Sequence, residues 1–349
     1  MNITKENWGI TRRKQEVFLY TLKNDFLEVE ILNYGGVIRK ISVPDKNGKY
    51  ENVVLNLPSI TDYEKRSPYF GAVVGRNAGR IKNGILKIEE KEYKLLQNSG
   101  PNSIHGGIYN FSHKIWNVRE IVEEDKIALE LTLKSPHLEE GFPGNIVVKV
   151  KYTLYKNELH LDYHVDTDRT TYVNLTNHTY FNLSGDFKKD IQDEYLKLNC
   201  NKFIAVDSET LPVEIRKVDR TPFDFRKEKM LKDALLSDDE QIKIVNKGLD
   251  HPFVIDKNET GAPIVLEDRE SGRKLEVSTD QDAVVIYSGN YLYEVGNLND
   301  DIVCKKYMGV CFETQNYADA LNFIPEKAVI TTPEKPYTQK TKYTFKVTK

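Results

Sequence analysis

A handful of side chains in this sequence combine a reactive type with an unusual setting. His178 lies in the segment NLTNHTYFNLSG, residues 174–185. Read as a strand, it shares parity with Asn174, Thr176, Tyr180 and Asn182. With Val173, Leu175 and Phe181 turned to a core, the opposite face carries amides, hydroxyls and an imidazole, groups suited to sugar hydroxyls. Glu313 stands in MGVCFETQNYADALN, which otherwise reads as a buried strand, and Asp250 stands among apolar residues in GLDHPFVI. A carboxylate in such a place must be paired, hydrogen-bonded or shifted in its proton affinity. Such acids are enriched at functional sites, and a structural ion pair is the competing explanation. His105 precedes two glycines in PNSIHGG, a sequence that turns tightly and lets another molecule approach the backbone. GAVVGRNAGRIKNG, residues 71–84, mixes glycine with Arg76 and Arg80 but lacks the Gly-Lys-Ser/Thr ending of a phosphate-binding loop.

The remaining candidates read as scaffold. His160 and His164 share the polar parity of one strand beside Asp162 and Asp166; two histidines so placed suit a metal, but a solvated sheet face explains them with less. His113 and His137 stand in polar surroundings without a partner pattern. Cys200, Cys304 and Cys311 form no C-x-x-C pair, which leaves them as buried thiols rather than a disulfide framework or thiolate zinc site.

What would position these groups is mostly β-structure. Ile127, Leu129, Leu131 and Leu133 alternate with polar or small residues, and Ile146, Val148, Val150, Tyr152 and Leu154 repeat the device. After YKNE, Leu159, Leu161, Tyr163 and Val165 alternate back, which makes a hairpin. DKNGKY (45–50) and EGFPGN (140–145) are turn signals between apolar runs. Helical patterning is confined to short pieces such as 59–66 and 227–236. Short strands without long intervening helices favour antiparallel sheets packed face to face, an all-β fold, over a parallel α/β one. No repeat or Pro/Ser-rich linker divides residues 1–349, so one large domain is expected.

Composition excludes some partners. The 50 basic residues nearly balance 53 acidic ones, net −3, so no global field would recruit nucleic acid or an anionic membrane. No apolar run approaches a bilayer span and MNITKENWGITRRK lacks a signal peptide's apolar middle, so a cytoplasmic protein with a small-molecule partner is expected.

Taken in order, GRNAGRI, NSIHGG, EGFPGN, NLTNHTYFNLSG, TPFDFR, GLDHPFV, YSGNYL and FETQNYADALN, spread over residues 75–322, resemble the aldose 1-epimerase (galactose mutarotase) family. The resemblance implies a large β-sandwich and a reaction without cofactor or metal, interconversion of the α and β anomers of a free aldose, by a monomer or homodimer. It implies Glu313 as general base and His178 as general acid, with Arg80, His105 and Asp250 binding or orienting the sugar. Where the family often has Asn before that arginine this chain has Gly79, where it often has Gln two residues before the Tyr of its YTGN segment this chain has Val285, and its PTGE segment is only partly present in LPVEIRKVDRTPFDF.

The chemistry agrees with that pair. Opening a cyclic hemiacetal removes a proton from the anomeric hydroxyl and delivers one to the ring oxygen. Glutamic acid titrates near 4.3 and histidine near 6.5 in peptides, which suits Glu as free base and an assisted His as acid near neutrality. Competing readings are a hexose-6-phosphate 1-epimerase, which needs a cationic phosphate pocket; a glycosidase using Asp250 and Glu313; a metal hydrolase using His105, His178 and Glu313; and a carbohydrate-binding module, which needs no acid/base pair.

Overall fold

A computed structural model describes residues 1–257 and 260–348. The alternating segments form strands in the expected order: Ile127–Ser135, Ile146–Tyr155 and Glu158–Thr167 pair antiparallel, with Tyr155 opposite Glu158 across a two-residue turn. Their apolar parity, including Leu129, Leu131, Val148, Val150 and Leu161, is fully buried. These strands belong to an antiparallel sheet of nine, which continues through Tyr337–Val347, Arg273–Thr279 and Ile264–Asp268.

A second, six-stranded antiparallel sheet runs Tyr180–Phe181, Val310–Gln315, Ala283–Tyr287, Asp250–Val254, Lys202–Val206 and Pro212–Lys217. One face of it packs on the large sheet. Phe181, Phe253, Ile286 and Phe312 share an apolar cluster with Leu275, Val277, Tyr343 and Phe345, and the Phe181 and Tyr343 rings are 5.1 Å apart. Leu22, Val29 and Ile41, from a five-stranded sheet that begins at Asn2–Ile10, join the same cluster. The result is the expected all-β arrangement of packed antiparallel sheets. Short helices fall in the two anticipated stretches, Ile60–Arg66, capped by Ser59, and Leu231–Leu235, and two more, Glu240–Ile244 and Ala320–Phe323, lie outside them. None among the described residues is long and apolar enough to cross a membrane.

The other face of the six-stranded sheet positions the chemistry. Cross-strand register places Asp250 opposite Tyr287 and Tyr287 opposite Cys311, which lies opposite Tyr180; the next row is Pro252, Val285 and Glu313. Because side chains alternate along a strand, both rows project to one side.

One expectation is corrected. Residues 174–182 are not a single strand with a polar face. They form two two-residue strands, Thr176–Asn177 and Tyr180–Phe181, in different sheets. Asn174 and Asn182 are fully buried and serve the backbone of distant segments: Asn174 Oδ1 accepts from Asn316 N–H, and Asn182 Nδ2 donates to the carbonyls of Lys189 and Met308. His160 and His164 sit beside separate carboxylates, Glu158 and Asp166. Cys200, Cys304 and Cys311 are free buried thiols.

Candidate active site

His178 is held from every side. Its N–H donates to Ala72 O (2.9 Å) and its carbonyl accepts from Gly71 N–H (3.0 Å). Its ring lies between Tyr69 and Tyr180, with centroids 5.7 and 5.0 Å away and near-parallel planes. Nδ1 lies 3.4 Å from Cys311 Sγ, and Nε2 lies 3.3 Å from Glu313 Oε1. Cys311 and Glu313 are two apart on one strand, so alternation alone lets them address the two nitrogens of one imidazole. His178 and Glu313 are 4% and 3% exposed.

His105 reaches the same place from a turn. Arg80–Ile81 pairs antiparallel with Ser103–Ile104, so Arg80 and His105 enter the site together. Gly79 binds His105 twice: its carbonyl accepts His105 N–H (3.0 Å) and its N–H donates to Nδ1 (3.2 Å). An occupied Nδ1 leaves the ring proton on Nε2 when His105 is neutral. Gly106 follows at φ +85°, where a Cβ would sit 2.0 Å from Gly75 O, so the second residue of HGG must be glycine.

These side chains line one cavity of about 210 Å³, together with Tyr69, Tyr180, Tyr287, Tyr291 and Asp250 and an apolar margin that includes Val206, Pro212, Pro252 and Val285. All five residues singled out from sequence, Arg80, His105, His178, Asp250 and Glu313, are therefore brought together. Arg76 is not. It is 2% exposed, and its guanidinium donates to Ser135 Oγ and to the carbonyls of Ser135, Pro136, Pro143 and Gly144, so it clasps the EGFPGN turn. Asn290 has a comparable duty: Nδ2 donates to Val245 O and Leu249 O, which fixes the entry to Asp250.

Burial sets the proton affinities. It pulls His178 down to about 4 and His105 well below the usual imidazole range, where neighbouring His178 and Arg80 add to the effect. It pushes Glu313 well up, reinforced by the charge of Asp250 and opposed by Arg80. Asp250 is raised by burial and drawn back by Arg80. Burial thus works against the order expected from peptide values, proton on histidine and charge on glutamate, and favours the reverse. Arg80 Nε is buried and has no hydrogen-bond partner among the described residues. His105, His178 and Glu313 each offer a ligand atom within 4.8 Å of the others, so this trio also has the spacing to hold a divalent ion.

A protein-family model described as aldose 1-epimerase matches residues 19–344. The galactose mutarotase of Sus scrofa is 37% identical over 330 residues, 94% of each chain. The chain belongs to the aldose 1-epimerase family. The aldose 1-epimerase of Haemophilus influenzae is 34% identical over 308 residues, covering 87% of this chain and 88% of that one. The crystal structure of galactose 1-epimerase from Lactobacillus acidophilus superposes with a TM-score of 0.89 at 31% identity, covering 100% of this chain and 99% of that one.

Against the aldose 1-epimerase pattern, Gly79 has a structural reason. Its φ is +73°, a region where glycine is most at ease and asparagine is the best tolerated alternative. A Cβ there would meet only Ala318 Cβ at 3.7 Å and Gln315 Nε2 at 3.8 Å, so either residue fits. Val285 places an aliphatic group directly beside Glu313, where the family often has an amide. Tyr69, Thr210 and Tyr291 line the cavity without having been marked by sequence. They lie on loops, Tyr69 at φ +64°, and no strand periodicity announces them.

Proposed function

We propose that this protein is an aldose 1-epimerase that interconverts the α and β anomers of free aldoses such as galactose and glucose. The observation that carries the reading is the 3.3 Å approach of His178 Nε2 to Glu313 Oε1 inside a monosaccharide-sized cavity. The anomeric oxygen and the ring oxygen are bonded to the same carbon, so a base for one and an acid for the other must be neighbours.

Ring opening moves one proton in and one out, so the pair works with a single proton between its members. Glu313 takes the anomeric hydroxyl proton, the C1–O5 bond breaks as the C1–O1 bond becomes a carbonyl, and His178 Nε2–H protonates O5. The step begins from carboxylate and imidazolium and ends with carboxylic acid and imidazole. Burial disfavours charged forms, so it favours the pair as ring opening leaves it. Arg80 opposes this by stabilising the carboxylate that starts the reaction. In the open aldehyde, rotation about C1–C2 presents the other carbonyl face, and the transfers run backward to close the ring. Arg80, His105 and Asp250 supply donors and acceptors for the sugar hydroxyls.

Among the described residues lining the cavity, Arg80 is the one lysine or arginine, and two carboxylates share the space. That balance supports a neutral sugar over a hexose 6-phosphate. The test is polarimetry of freshly dissolved α-D-galactose and α-D-glucose with and without protein, before and after exhaustive chelation. Acceleration that survives chelation is expected. Activity abolished by chelation and restored by zinc would overturn the acid/base assignment.

A further inference from the structure

The mechanism leaves one contact of the acid unused. Cys311 is fully buried, and its Sγ lies 3.4 Å from Nδ1 of His178, on the side of the ring opposite Glu313. In both states of the proposed pair Nδ1 must carry a proton. The imidazolium is protonated on both nitrogens, and when Glu313 holds the shared proton and donates it to Nε2, the neutral ring keeps its hydrogen on Nδ1. The sulfur lies 3.4 Å away, positioned to receive it, alongside a hydrogen bond to the backbone of His178 itself.

We propose that Cys311 is a positioning residue whose sulfur accepts Nδ1–H of His178 throughout the cycle, so that Nε2 is always the nitrogen that exchanges protons with the sugar. The strand register makes this stable, since Cys311 is fixed between Tyr180 and Tyr287 on the adjoining strands. The choice of sulfur has a chemical consequence. A carboxylate at this position, as in the Ser-His-Asp arrangement, orients the ring and also stabilises the imidazolium. A neutral thiol orients the ring while stabilising the cation little, which keeps His178 a willing proton donor. Burial, with Glu313 and Asp250 close by, raises the thiol's proton affinity and keeps it neutral.

This inference rests on the epimerase reading but has its own readout. In protein labelled with ¹⁵N-histidine, the Nδ1 of His178 is expected to be protonated at neutral pH in the wild type. Cys311→Ala should shift the ring toward the Nε2–H tautomer and lower kcat about tenfold through loss of orientation, with KM changed less than twofold. Cys311→Ser, which restores an acceptor, should recover most of the loss. An unprotonated Nδ1 in the wild type overturns the proposal without any variant, which covers failure of Cys311→Ala to fold. So does a folded Cys311→Ala with wild-type kcat and tautomer. A wild type inactive on every aldose would sink the epimerase reading instead, and the nitrogen spectrum would still decide whether sulfur sets the tautomer.

Discussion

Glu313→Gln should lower activity and raise stability together. Glutamine keeps the shape of the side chain and an acceptor oxygen facing His178, but it cannot take the anomeric proton. Loss of general-base catalysis is expected to reduce kcat by about 10²- to 10⁴-fold, about 3–5.5 kcal/mol of transition-state stabilisation. Folding loses little, because the contact with His178, 3.3 Å long, joins a neutral imidazole rather than a cation near neutral pH. It also gains. Burial raises the folded-state proton affinity of Glu313 well above its ordinary value of 4.5, so the native protein holds a proton that the unfolded chain releases. By linkage, the stability associated with that proton is fully present below pH 4.5 and is lost as pH rises toward the folded value. At pH 7 the wild type bears this loss and the glutamine variant does not. The variant should therefore melt higher than wild type at pH 7, and the gap should close as pH falls toward 4. Polarimetry with the spontaneous rate subtracted measures the first effect, and scanning calorimetry from pH 4 to 8 the second. Near wild-type kcat, a lower Tm at pH 7 or a gap that widens on acidification would refute the reasoning.

The pH profile of kcat/KM should be bell-shaped, with both limbs belonging to the pair as a unit: activity falls near pH 4 as His178 takes a second proton, and on the alkaline side, well above the ordinary carboxylate range, as the shared proton leaves. Asp250→Asn should weaken use of the sugar by removing an ionised acceptor, seen mainly as a raised KM. Because the Asp250 charge raises Glu313, the same variant should move the alkaline limb to lower pH, and an unmoved limb would show the two carboxylates to be uncoupled. Arg76→Ala removes the donor to four carbonyls and a hydroxyl and should cost about 3–5 kcal/mol in urea unfolding; a loss below 1 kcal/mol would show that water replaces the guanidinium.

Sequence carried the parts of this protein in which one face is wet and the other dry. The strands from 127 to 165 announce themselves because alternation there maps directly onto burial. Glu313 and Asp250 were legible for a related reason: a carboxylate inside an apolar strand is conspicuous wherever the strand sits. Alternation failed at 174–182 because that segment is buried on both faces, and Asn174 Oδ1 and Asn182 Nδ2 bond backbone groups of residues 189, 308 and 316 that no local pattern reveals. The N-terminal sheet was nearly silent, marked only by its DKNGKY turn between Pro44 and Tyr50. Its first strand, NITKENWGI, is mostly exposed and polar. Arg76 and Arg80 look alike in GRNAGR, and only tertiary structure shows that one clasps a turn while the other faces the cavity. His178 was marked from its segment and does line the cavity, but its peptide titration value places the proton differently from the folded site, since burial is a property of the fold.

The placement of the acidic groups on one sheet face also constrains how such a protein can change over time. Asp250 and Glu313 reach the cavity only because each occupies the right phase of a two-residue repeat. Slipping the register of either strand by a single residue would turn its carboxylate toward Phe253, Ile286 and Phe312, exchanging a reactive group with a core one. A two-residue change would keep the facing and shift only the position. The loops that supply Tyr69, Thr210 and Tyr291 obey no such parity. Lineages can therefore lengthen or rebuild the rim freely and alter which sugar is admitted, while the reactive floor can be inherited only in even steps.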